Sequence, residues 1–387
     1  MNVRILVVGA GMMGTAIAHD LTRRDDIDEV IVGDRELGRA RALVERLAST
    51  RATAVQLDAT APRAVREAMD GCTAVISAVP YFLNAALARA AIDASAHFCD
   101  LGGNPEVVDA EFALDGDAAA AGVTIVPDCG LAPGLANILA AGAVRQLDHA
   151  KRVRLRVGGL PQQPRPPLDY QIVFSPYGLI NEYAEPCSVV RGGVRQEVPP
   201  LTEIEPMAFD APFDALEAFH TSGGSSTLPR TLANQVEDLD YKTIRYPGHA
   251  RIVKALLDLG LFDSAPREVG DVEASPREMV AGLFAERMSF GEPDVVLLRV
   301  EATGTLSGRP TTVRYELVDR FDPETGLSAM MRCTGFPAAA VAHLLACGRI
   351  DRPGAHPQEL VVPVDAYVGS LRERGLAIEH TVGPATS

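Results

Sequence analysis

Lysine is nearly missing from this chain. Only Lys151, Lys242 and Lys254 stand against 33 arginines, a bias of the kind genome base composition imposes. A lysine that survives it draws notice, because arginine cannot replace a group that must lose a proton near neutrality. Positive charge is in deficit overall. The formal charge is −15 and the pI about 5.0, which counts against a nucleic acid or an anionic membrane as partner. The six cysteines contain no CxxC pair, and a chain of 387 residues needs no staples, so they read as reduced thiols of a cytoplasmic protein. No histidine pair or His/Cys cluster has ligand spacing, so no metal is expected. No apolar run reaches membrane-spanning length, and the N-terminus lacks the signature of a signal peptide. Repeats and low-complexity tracts are absent.

What is present is a regular alternation. Residues 3–8, 29–34, 52–58, 73–80, 97–102 and 122–130 read as short apolar strands, and 12–24, 35–48, 61–71 and 83–95 as amphipathic helices between them. This pattern specifies an α/β fold, a Rossmann-type doubly wound parallel sheet, over residues 1–130. Prolines and irregular stretches then take over. Residues 152–160, 294–306 and 309–321 look like antiparallel strands, with Gly308 turning the last two into a hairpin. Residues 131–325 are therefore expected to form an inserted α+β domain for substrate and dimerisation, and 326–387 to return to the first domain.

The stretch "RILVVGAGMMG" (4–14) places Gly9, Gly11 and Gly14 in GxGxxG spacing between a strand and a helix. The first glycine permits a tight turn, the second lets backbone approach a pyrophosphate, and the third lets helix and strand pack closely. Met12 and Met13 open the helix whose N–H groups would meet the phosphates. Asp34 ends the second strand, twenty residues past Gly14, where an acid takes the ribose hydroxyls of NAD and repels a 2′-phosphate. Arg35 beside it tempers that preference. "ISAVP" brings Ala78, Val79 and Pro80 to the loop that passes the nicotinamide ribose; Pro80 alone could equally be a strand-ending proline. The expected cofactor is NAD. The alternative is a glycine turn that binds nothing.

At "DLGG" (100–103), "PDCGLAPGLANILA" (127–140), "GGLPQQPRPPLDYQIVFSPYGLINEY" (158–183), "LEAFHTSGGSSTL" (216–228) and "YKTIRYPGH" (241–249), the sequence resembles the saccharopine dehydrogenase-like family, with L-lysine 6-dehydrogenase as the most similar branch. The resemblance implies a Rossmann domain with a large insertion, a homodimer or higher homo-oligomer, and NAD-dependent oxidative deamination of the ε-amine of L-lysine. The semialdehyde product would cyclise to a piperideine carboxylate. "HTSGG" stands where saccharopine reductase-type members carry an Asn-Arg-Asp stretch, which implies a smaller amino-acid substrate here.

Hydride leaves the carbon bearing the amine, so the amine must be neutral and a proton acceptor must lie near it. Asp100 and Asp128, both after strands, are the candidates; each could instead cap a turn. Arg245 is the candidate for the substrate carboxylate, against the reading of a surface arginine. Lys242 is a candidate base or else a surface lysine, and His220 a candidate proton acceptor or else structural. Thr221 and Tyr170 are candidate substrate contacts; wall or core is the plainer reading of Tyr170. Gly223 and Gly224 mark close backbone approach or a turn, and Cys129 a buried thiol. Other readings are a saccharopine reductase-like or other diamino-acid dehydrogenase, a homospermidine synthase-like transferase with tightly held NAD, and a non-catalytic NAD-binding protein.

Overall fold

The computed structural model describes residues 2–270 and 272–385, which divide into two compact units. The first comprises Met1–Gly142 and Met331–Ile378; the second comprises Ala143–Met330 and Glu379–Ser387. Among the described residues no helix is long and apolar enough to cross a membrane.

The first unit alternates β1 (Arg4–Val8), α1 (Met12–Leu21), β2 (Glu29–Asp34), α2 (Leu37–Leu47), β3 (Ala52–Gln56), α3 (Pro62–Met69), β4 (Ala74–Ser77), α4 (Asn84–Asp93), β5 (His97–Asp100), α5 (Pro105–Phe112), α6 (Asp115–Ala121) and β6 (Thr124–Val126). The strands pair in parallel in the order β6-β5-β4-β1-β2-β3, and Gly354–Ala355 adds a short seventh strand beside β6. Strand order reverses between β1 and β4, which makes the crevice beyond their carboxyl ends the ligand-binding position of a doubly wound sheet. Ile5, Leu6, Val7 and Val8 are all buried because helices cover both faces. Leu6, Val8, Val75, Phe98 and Ile125 form one side of the core with Leu87, Ala91 and Met69 from the helices.

Helix α5 begins at an Asn-Pro pair. Asn104 accepts the N–H groups of Glu106 and Val107, and Pro105 occupies the first turn, where no N–H is needed. Neither α5 nor α6 is among the helices expected from periodicity, because both are short and Ala- or acid-rich.

The second unit is a mixed nine-stranded sheet. Its strands include β7 (His149–Pro161), β8 (Cys187–Arg191), β9 (Val194–Val198), β10 (Glu205–Met207), β11 (Leu216–His220) and β12 (Asp238–Arg245). Asp294–Leu306 and Arg309–Arg320 form the expected hairpin, with Ser307 and Gly308 both at positive φ in the turn. β12 lies parallel to β7, unlike the otherwise antiparallel pairing. The boundaries also differ from the expected 130/131 and 325/326. The helix Leu135–Arg145 runs unbroken across the division after Gly142, and residues 379–384 pair with 311–316 of the second unit rather than staying with the first. The open edge of the 309–320 strand offers them a ladder of backbone partners.

Candidate active site

In the first unit, the glycine turn has the geometry its spacing requires. Gly9 has φ +107° and lies against the Ala78 carbonyl, and a Cβ on Gly14 would run into the Gly9 carbonyl oxygen. At Gly11 a Cβ would meet only open space, which is where backbone is free to approach a ligand. Gly11 caps α1 without any side-chain hydrogen bond, so the first-turn N–H groups at Met12 and Met13 stay open to an anion. The Asp34 carboxylate accepts Ala10 N–H at 2.9 Å through Oδ2 and Glu36 N–H at 2.9 Å through Oδ1, leaving further lone pairs for hydroxyls. Arg35 is exposed, and its charge helps Thr60 to hold the Asp58 carboxyl below the usual range. Ala78 N–H donates to Val8 O at 2.8 Å, which seats Ala78, Val79 and Pro80 beside the turn. These residues fit a nicotinamide dinucleotide: a bare loop for the pyrophosphate, an uncapped helix and an acid for the ribose.

Two strands from β1, Asp100 ends β5 and is completely buried. Its Oδ1 accepts Gly102 N–H at 2.6 Å and Asp128 N–H at 3.2 Å, so Asp100 and Asp128 are brought together. Asp128 is buried at φ +63°, a left-handed conformation that aspartate tolerates better than most residues. Burial pushes the Asp100 carboxyl up, against hydrogen bonds from Glu111 and from the backbone of Asp128 and Gly102. Cys129 is buried, and desolvation raises its thiol pKa far above the usual value, so it is inert as a nucleophile.

In the second unit, the candidates fall into two groups. Successive residues of β12 point to opposite faces. Asp240 and Lys242 occupy one face, and Tyr241, Thr243 and Arg245 the other. On the first face, Arg156 binds Asp240 through both terminal nitrogens at 3.0 and 3.1 Å and Glu205 at 2.5 Å. Lys242 donates to the Glu203 carbonyl at 2.6 Å and the Glu205 carboxylate at 2.9 Å. His220 donates Nδ1–H to the Tyr241 carbonyl at 3.2 Å, which leaves Nε2 3.2 Å from Glu203 without hydrogen-bond alignment. Burial would raise Glu205 and Asp240, but Arg156 and Lys242 pull both below the usual carboxylate range. Lys242 is 3% exposed, so the surface-lysine reading is wrong.

Arg245 is also 3% exposed, which removes the surface reading there too. Its guanidinium lies 4.4 Å over the Tyr170 ring and donates through Nε to Tyr183 Oη at 3.3 Å and through Nη1 to the Ile244 carbonyl at 2.9 Å. Nη2 makes no hydrogen bond and faces Glu182 at 3.8 Å. Tyr183 in turn donates to His249 Nε2 at 2.9 Å, because His249 Nδ1–H is committed to the Leu168 carbonyl at 3.0 Å. Thr221 Oγ1 meets Thr243 Oγ1 at 2.6 Å on this same face. Tyr170, Thr221 and Arg245 therefore share a face that His220 and Lys242 do not. The glycine pair is explained by packing: a Cβ on Gly224 would collide with the Tyr241 ring, and Gly223 has φ +87°.

Desolvation raises the Glu182 carboxyl to about 7, with Arg245 opposing. Desolvation, helped by the Arg245 charge, drives His249 down to about 3, so its ring is neutral. Glu182 and His249 lie inside the stretches that carried the resemblance, yet neither stands out by spacing. Glu111 lies in α5, outside those stretches; the Asn-Pro cap was the one signal that a helix was there.

The first unit's strand order, glycine turn and ribose acid define a Rossmann-type dinucleotide-binding protein. Comparison narrows the class. The saccharopine dehydrogenase NADP binding domain matches residues 5–126 and the saccharopine dehydrogenase C-terminal domain matches residues 130–376. The chain belongs to the saccharopine dehydrogenase family. It is 25% identical over 303 residues to the NADP(+)-dependent, L-glutamate-forming saccharopine dehydrogenase of Schizosaccharomyces pombe, covering 76% of this chain and 66% of that one. The chain thus spans just under two thirds of that relative's length. It is 21% identical over 403 residues to a carboxyaminopropylagmatine dehydrogenase of Synechocystis, covering 98% of each chain. The apo saccharopine dehydrogenase of Saccharomyces cerevisiae shares the fold, with TM-score 0.80, 22% identity and coverage of 99% of this chain and 100% of that one.

Proposed function

We propose that this protein is an NAD-dependent dehydrogenase of a small amino acid, oxidising the ε-amine of L-lysine. The bound coenzyme would supply the hydride acceptor. The remaining work falls to the chain. Arg245 would pair with the substrate α-carboxylate through Nη2, the donor edge left without a hydrogen bond. Glu182, beside Arg245 and with its carboxyl raised to about 7, would in its ionised form receive the substrate α-ammonium. Asp100 and Asp128 remain the candidates that meet the reacting amine. Imine hydrolysis and cyclisation would then give the piperideine carboxylate without further protein groups.

One observation carries the choice of an amino acid: a buried arginine and a carboxylate face one another at 3.8 Å without a closed bond. That is the complement of an α-ammonium and α-carboxylate. The preference for NAD rests on Asp34, since a 2′-phosphate would meet its carboxylate, with Arg35 next to it in sequence as a cation. A homodimer in the cytoplasm completes the proposal.

A second reading is favoured by the relatives, whose names specify saccharopine and a carboxyaminopropyl derivative of agmatine. On that reading the substrate is an N-carboxyalkyl amine. The deciding experiment incubates the protein with L-lysine, ornithine, saccharopine or carboxyaminopropylagmatine, each with NAD and with NADP, and follows reduced coenzyme. Turnover of lysine with NAD supports the first reading. Turnover confined to an N-substituted amine replaces it with the second, and activity with NADP alone overturns the role of Asp34.

A further inference from the structure

We propose that Asp100 and Glu111 form a one-proton carboxyl pair in which Glu111 is the protonated member and Asp100 carries the single negative charge. Glu111 is then a positioning residue for an anion on the carboxyl edge of the first unit's sheet. Both side chains are completely buried and lie within hydrogen-bonding reach of each other. Among the described residues no N–H or hydroxyl reaches Asp100 Oδ2 or either oxygen of Glu111. Two carboxylates in that position would repel at short range with nothing to screen them, so one must keep its proton.

The choice between them follows from the donors. Asp100 Oδ1 already accepts two backbone N–H groups, from Gly102 and Asp128, and both favour its charged form. Glu111 accepts none. The proton therefore resides on Glu111, whose hydroxyl donates to Asp100 Oδ2 and gives that anion its third hydrogen bond. The groups facing the pair are the Asp128 carboxylate and the Cys129 thiol, and among the described residues no cation shifts either carboxyl. Desolvation is the largest cause raising Glu111, to about 12, followed by the charge of Asp100.

On the reading of function above, on which this last step rests, the retained charge on Asp100 would attract the ammonium or iminium form of the substrate. Without the Glu111 proton, Asp100 would be pushed toward neutrality and that attraction would fail.

Infrared spectroscopy of the full chain without ligands at about pH 8, above the Glu182 value, tests the pair directly. The expected spectrum shows a protonated carboxylic C=O stretch that disappears in Glu111→Gln and persists at a higher frequency in Asp100→Asn, where burial still keeps Glu111 protonated but its hydroxyl no longer donates to an anion. That shift in the second variant is the signature of the pair, because only a carboxylate at residue 100 gives the Glu111 hydroxyl a charged acceptor. A wild-type spectrum without that stretch overturns the proposal, and this measurement needs no variant to fold. A stretch lost in Glu111→Gln but unshifted in Asp100→Asn makes Glu111 a lone buried acid and also overturns it. Positioning is read separately: Glu111→Gln should leave the acidic limb of kcat/KM near its wild-type pH, while Glu111→Leu moves it upward by roughly one unit. An unmoved limb in Glu111→Leu sinks the positioning role. Failure of every amine substrate would sink the proposed reaction while leaving the infrared result standing.

Discussion

The Asp34 carboxylate holds Ala10 N–H at 2.9 Å, so the acid placed to read the coenzyme ribose also pins the glycine turn. Its replacement should act on both. Asp34→Ala is expected to raise the NAD KM about ten-fold or more, equivalent to about 1.4 kcal/mol, while turnover at saturation changes little. Preference against NADP should relax in the same variant. Asp34→Asn keeps an acceptor for Ala10 and loses the charge, so it should restore the turn but not the discrimination. Steady-state kinetics with both coenzymes check this, and an unchanged NAD KM in Asp34→Ala removes the residue from coenzyme recognition.

Arg156 is 3% exposed and joins Asp240 to Glu205, while Lys242 closes the same network. Removing the arginine leaves a buried carboxylate without its bidentate partner. Arg156→Met should cost about 3–5 kcal/mol of unfolding free energy, or prevent folding. The double variant Arg156→Met with Asp240→Leu should recover a substantial part of that loss, because neither charge is then stranded. Chemical denaturation of the three proteins measures it. A double variant no more stable than the single one would show that the pair acts through packing alone.

The first unit was legible in the sequence because its strands are short apolar runs and its glycines have only one geometric use. Gly9, Gly14 and Asp34 stand in the arrangement their spacing required. The second unit was less legible for a physical reason. Whether His220 and Arg245 face each other depends on the pleat of β11 and β12, and the pairing register that decides it is not written in either segment alone. His220 pairs with Lys242 in that register, so one histidine and one lysine went to a buried ion network while Arg245 went to the aromatic face. Glu111 was illegible in another way. A glutamate on a short helix reads as solvated, and only the approach of α5 to the end of β5 turns it into a buried acid.

Neutral His249 makes stability depend on pH in a definable window. Its pKa falls from 6.5 to about 3 on folding, mainly by burial. Between those values the unfolded chain binds one more proton than the folded one. Stability from this residue is therefore complete above about 6.5 and declines as pH falls, by about 1.4 kcal/mol per unit for one proton. Glu182, raised to about 7, acts in the opposite sense between its unfolded and folded values, so the wild-type curve alone does not isolate the histidine. The comparison with His249→Phe does. The wild-type advantage over that variant should shrink as pH drops from 6.5 toward 4.5, and a constant difference in unfolding free energy across that range would refute a neutral histidine.

Arg245→Lys separates recognition from scaffold. The guanidinium stacks over Tyr170 at 4.4 Å while its Nε bonds Tyr183, and a lysine ammonium offers neither the flat face nor the fork. Charge is retained, so Glu182 still faces a cation. If Nη2 is the donor that meets the substrate carboxylate, the variant should raise the amino-acid KM by about ten-fold or more while kcat stays within a few-fold. A free carboxylate ligand supplies the control: acetate or glutarate should inhibit the wild type and lose potency in the variant. Calorimetric titration of NAD should be unchanged, because the coenzyme cradle belongs to the other unit. Normal saturation by lysine in a folded Arg245→Lys protein would take the residue out of the carboxylate site and leave it as a core cation held by its aromatic neighbours.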